Sequence, residues 1–69
     1  MKTRLTIRPY FKSYGNGVAV SAFYATLVKI STGEVLFTTE SEHRQVAEDV
    51  ATDVAHERFN STITELVRL

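Results

Sequence analysis

From Lys2 to Lys12 polar and apolar positions alternate without a break. Lys2, Arg4, Thr6, Arg8, Tyr10 and Lys12 share one phase, and Thr3, Leu5, Ile7, Pro9 and Phe11 share the other. Strict period-two alternation predicts a half-buried strand. Pro9 has no N–H to give to a ladder, so this first strand is expected at a sheet edge, or bulged there. Ser13-Tyr14-Gly15-Asn16-Gly17 supplies turn chemistry, because Gly and Asn tolerate positive φ. The run Val18 to Ile30 predicts a second strand. Val18, Val20, Tyr24, Val28 and Ile30 fall in one phase, and Ala19, Ser21, Phe23, Ala25, Leu27 and Lys29 in the other. Both phases are partly apolar, which suits a central strand covered on both sides to different degrees.

Ser31-Thr32-Gly33-Glu34 reads as a short hairpin loop with Gly33 in the left-handed position, and Val35 to Thr39 as the returning strand. A four-residue loop pairs Ile30 with Val35 and Val28 with Phe37, which assigns the Tyr24 and Val28 phase to the core. Helix signals follow. Thr39 or Ser41 offers an N-cap, Glu42 completes a capping box with Thr39, and Val46, Ala47, Val50, Ala51 and Val54 recur at helical spacing. The expected helix runs from about Ser41 to Phe59. Beyond Asn60-Ser61-Thr62, the residues Ile63, Leu66, Val67 and Leu69 fit either a short helix capped by Thr62 and Glu65 or a terminal strand. The capping box favours the helix.

These elements define an α+β fold: a three-stranded antiparallel meander with one long helix packed on one face, then a short C-terminal helical or extended segment. The 69 residues make one domain, and a chain of this length buries only about 60 % of its unfolded surface, so the core is thin and self-association would help it.

Charge sharpens this picture. The net charge is zero, but residues 1–33 hold Lys2, Arg4, Arg8, Lys12 and Lys29 and no acid, whereas all eight acids follow Gly33, against Arg44, Arg58 and Arg68. The fold then predicts a positive open sheet face and a negative helix. With no cysteine there is no disulfide or thiolate chemistry, and the setting expected is cytoplasmic. The N-terminus lacks the apolar stretch of a signal peptide, and no run approaches the roughly 20 apolar residues of a membrane span.

No set of residues carries catalysis. His43 and His56 stand 13 positions apart, and His56-Glu57 has no second histidine at the zinc-protease spacing. Glu48, Asp49 and Asp53 read as a solvated helix face, and Gly15-Asn16-Gly17 is too short for a phosphate cradle. The expectation is a non-enzymatic protein with no cofactor, metal site or small-molecule substrate.

The face of the sheet away from the helix is the candidate surface. Two sets of residues are placed there. Phe23, Leu27 and Leu36 form an apolar strip of the kind that meets another protein. Arg4, Arg8, Tyr10, Lys12 and Lys29 form a basic row with an aromatic, suited to phosphates or to an acidic partner. Two functions follow. One is a small regulator or inhibitor acting by protein contact, as a homodimer or on a host protein, of a kind compatible with a phage or mobile element. The alternative is a DNA- or RNA-binding module.

The stretch Val18 to Phe59, with its Gly33-Glu34-Val35 hairpin and Ala-rich helix, resembles the β-β-α part of double-stranded-RNA-binding domains. The resemblance covers about 40 residues and implies local topology only. That family grips phosphates with lysines at the start of its last helix, where this chain has Ser41-Glu42-His43-Arg44-Gln45, so no functional residue is carried over.

Overall fold

A computed structural model describes residues 1–69 as five elements: β1 (Lys2–Gly15), β2 (Val18–Lys29), β3 (Val35–Ser41), α1 (Arg44–Phe59) and β4 (Thr62–Arg68). They build one mixed four-stranded sheet in the order β3-β2-β1-β4, with α1 on one face. No helix is long and apolar enough to cross a membrane.

The fourth strand corrects the expected meander. The C-terminal segment extends parallel to β1, pairing Thr3 with Ile63 and Leu5 with Leu66, and the N–H of Leu69 bonds the Ile7 carbonyl at 2.9 Å. The Thr62 and Glu65 capping box is overruled because β1 offers a free edge. Asn60, at φ 46°, ends α1 in the left-handed conformation and turns the chain back toward that edge. Two buried hydroxyls fasten the join: Ser61 Oγ lies 2.9 Å from the Met1 carbonyl and 3.1 Å from Thr3 Oγ1, and the Thr3 hydroxyl donates to the Thr62 carbonyl at 3.1 Å. β1 is therefore central, not an edge. Pro9 is tolerated because its nitrogen, in the same phase as Ile7, points to the β4 side just past the end of that strand.

The helix begins at Arg44, later than expected, with His43 as its N-cap and no side-chain cap bond. Thr39 and Ser41 stay in β3, and the Ser41 hydroxyl instead accepts the N–H of His43 at 3.1 Å. Its buried line is Ala47, Glu48, Ala51 and Ala55, while Val46 and Val50 are left exposed. Glu48, expected in solvent, is 6 % exposed and accepts from Arg68 Nε at 2.8 Å, tying α1 to β4.

The phase of β2 is the second correction. Leu5 pairs with Leu27, Ile7 with Ala25 and Arg8 with Tyr24. Leu27 and Ala25 are therefore on the helix side with Leu5 and Ile7, and all four are at most 1 % exposed. Phe23 and Leu36 also pack against this core. Tyr24 and Val28 face away. The β2–β3 hairpin pairs Leu27 with Phe37 and Val28 with Val35, with Leu36 bulged between, so the expected register of Val28 with Phe37 is off by one. Close approach decides which phase goes inside. A helix that meets the sheet through alanines leaves no room for a tyrosine ring beneath it, but fits Ala25 beside Leu5 and Leu27.

Candidate functional site: the open face of the sheet

Register places the outer face in rows across the strands. Arg4, Val28 and Val35 form one row, continued by Glu65. Thr6, Thr26 and Thr38 form the next, continued by Val67, and Arg8, Tyr24 and Glu40 the third. Tyr10 lies opposite Ala22 and Lys12 opposite Val20. Of the proposed basic row, Arg4, Arg8, Tyr10 and Lys12 share this face. Lys29 does not. It pairs with Thr3 in the helix-side phase, at the sheet end, where with Met1, Lys2, Ile30 and Ser31 it borders an open cleft of about 500 Å3.

The apolar strip expected here is not on this face: Leu27 is core, and Phe23 and Leu36 pack under the helix. The ring system that is present belongs to tyrosines. Tyr10 and Tyr24 meet edge to face at 6.2 Å, the Arg8 guanidinium stands 5.9 Å from the Tyr24 ring centre, and Lys12 Nζ stands 5.6 Å from that of Tyr14. All three tyrosines of the chain thus line one ladder with two cations. Tyr24 was hidden from sequence reasoning because both phases of β2 are apolar.

Charge on this face is largely matched. Arg4 Nε pairs with Glu65 Oε2 at 2.6 Å, and Lys12 Nζ with Glu40 Oε1 at 2.6 Å, while the Tyr10 hydroxyl donates to Glu40 Oε2. Arg8 makes no ion pair. It borders a shallow hollow of about 220 Å3 with Thr6, Thr26, Tyr24 and Leu69. Instead of a uniformly positive sheet, the fold sets Glu40 and Glu65 among Arg4, Arg8 and Lys12. The expected charge separation fails because β3 and β4, which come from the acidic half, carry these carboxylates to the same face.

Donation from Lys12, and then from Tyr10, holds the Glu40 carboxyl below its ordinary 4.5, and the same carboxylate raises Tyr10 above 10.0 and Lys12 above 10.5. Because Glu40 is depressed, the stability it contributes is present above pH 4.5 and is lost as pH falls through its lowered value. The contributions of Lys12 and Tyr10 are present below their ordinary values and are lost as pH rises through the raised ones. A carbon-detected NMR titration should place the Glu40 midpoint below 4.5, and Lys12→Met should move it upward.

Beyond the helix, β1 and β2 continue as a two-stranded arm, which gives the molecule its 43 Å long axis. Its tip carries Gly15, Asn16 and Gly17 at φ 84°, 52° and 73°. Phe11, in the same phase of β1 as the buried Leu5 and Ile7, lies on this arm and is 79 % exposed because α1 starts too late to cover it.

No family model, curated protein or solved structure matches the chain.

Proposed function

We propose that the protein is a small non-enzymatic regulatory or inhibitory binding protein that acts by protein contact through the open face of its sheet. One observation carries the reading: Arg4 and Lys12 already hold Glu65 and Glu40, so the face offers tyrosines and unpaired Arg8, with Lys2 at its end, rather than a field of free cations. Tyrosine and arginine dominate the energetic centres of protein interfaces, and a surface whose charges are satisfied internally can be covered without leaving many of them unpaired. Phosphate binding would have to compete with Glu65 and Glu40 for the same cations.

The tyrosine ladder itself favours a second reading, single-stranded DNA or RNA stacked on Tyr10, Tyr14 and Tyr24 with Arg8 on a phosphate. Capture of partners from source-cell lysate, with and without nuclease, separates the two. Under the first reading capture survives nuclease, and Tyr24→Ala or Arg8→Glu weakens it by about 2 kcal/mol, roughly thirtyfold. Capture abolished by nuclease, or unchanged in both variants, would overturn it.

A further inference from the structure

The two edges of the sheet are built differently. β4 carries Glu65 and Arg68, both in ion pairs, and its pairing with β1 is interrupted by a bulge. Bulges and charges are the ordinary means by which an edge strand avoids pairing with another chain. β3 has its irregularity at its start, and from Phe37 to Ser41 it runs in register with β2. That stretch has no proline, lysine or arginine, and its one acid, Glu40, is drawn onto the sheet face by Lys12 and Tyr10. β3 has a neighbour on one side only.

The helix supplies a matching surface. Glu48 reaches Arg68, so the Glu48 flank of α1 looks toward β4 and the opposite flank looks over the β3 edge. At about 3.6 residues per turn, that opposite flank carries His43, Val46, Val50, Val54 and Glu57. Val46 and Val50 are 47 % and 39 % exposed.

Strand and helix share a midpoint. Arg68 pairs with Ile7, Ile7 with Ala25 and Ala25 with Thr39, so Glu48 sits at the level of Thr39. Val50 lies two residues further, about 3 Å along the helix, which is about one strand residue. That is the level of Thr38, the middle of β3. A single two-fold axis through Thr38 therefore also passes Val50.

We propose that two copies of this chain associate through antiparallel pairing of their β3 strands, with their α1 helices side by side across the axis. Thr38 then faces Thr38 of the second copy, and Val50 faces Val50. Val46 meets Val54, and His43 at one end meets Glu57 at the other, where an imidazole N–H can donate to the carboxylate, so the two ends of the stripe are complementary in hydrogen bonding. The spacing also fits. α1 packs most closely over β2 and β3 and also reaches β1 and β4. With strands about 4.8 Å apart, its axis lies about 5–7 Å from the two-fold, so the two helix axes stand about 10–14 Å apart, and the valine stripes touch at the near end of that range. The result is an eight-stranded sheet whose open face is continuous across the seam. This association does not depend on what that open face binds.

The test is sedimentation equilibrium of the full chain, diluted from about 1 mM, where even a dimer of millimolar Kd is well populated. The wild type should sediment as a dimer. Thr38→Lys and Val50→Glu, both at exposed positions, should keep the fold by circular dichroism yet weaken association about a hundredfold, since each substitution acts twice across the axis. Leu66→Glu, on the other edge, should leave the dimer intact. The chain has no cysteine, so Val50→Cys should cross-link rapidly on mild oxidation and Leu66→Cys should not. A monomer at the highest concentration would overturn the proposal, as would a dimer indifferent to both edge substitutions or equal cross-linking at both sites. So would a monomer whose Thr38→Lys variant loses capture of a foreign strand, which would make the edge a peptide site instead.

Discussion

Leu27→Glu should unfold the protein. Leu27 is fully buried between Leu5 on β1 and Phe37 on β3, beneath the alanine face of α1. Removing a buried leucine costs about 2–5 kcal/mol, and an unpaired carboxylate left in its place costs several more. The whole domain, at about 0.05–0.15 kcal/mol per residue, has about 3–10 kcal/mol to lose. Far-UV circular dichroism and amide NMR dispersion should both collapse. Thr26→Glu, one residue away on the open face, should keep the native spectrum. A native-like Leu27→Glu protein would mean that the phase of β2 is inverted, returning Leu27 to the surface that its sequence context suggests.

Ala51→Leu should cost about 3 kcal/mol through the opposite fault, excess volume. Ala47, Ala51 and Ala55 are at most 1 % exposed and meet Ala25, Leu5 and Leu27. A tightly packed site of this kind has no void to accept three more carbons, so the helix must lift or a side chain must leave its rotamer. In a domain of this size a loss of 1 kcal/mol lowers Tm by roughly 4–8 °C, so the expected drop is about 10–25 °C. A Tm within a few degrees of wild type would mean that the helix sits further from the sheet than its buried alanines indicate.

These two substitutions also mark where the sequence was readable. The alternation in β1 placed Leu5, Ile7 and the Arg4–Arg8–Lys12 row correctly, because only one of its phases is apolar. β2 has two apolar phases, so periodicity could not choose between Leu27 and Tyr24. The choice came from the register of β1 with β2 and from the small alanines above, neither of which is local. Val46 and Val50 recur at the same helical spacing as Ala47 and Ala51, yet the smaller residues went inside because they allow closer approach. Glu48 gave no signal of burial, since its partner Arg68 is 20 residues away on a strand that a capping pattern had concealed. For the candidate site, four of the five residues proposed for the basic row share the open face, and none of the apolar trio does.

The parallel pairing of β1 with β4 has a consequence for how the fold is reached. The strand made first among the five elements ends beside the strand made last, and the helix must form and turn at Asn60 before they can meet. Until then β1 has a bare edge, and Thr3 lacks the Thr62 carbonyl that its hydroxyl needs. Closing a link across some 60 residues exacts its loop entropy before any contact repays it. A ribosome-bound chain stalled before Thr62 emerges should therefore remain open to protease along β1. The closing event in refolding should be slow compared with formation of the β1–β2 hairpin.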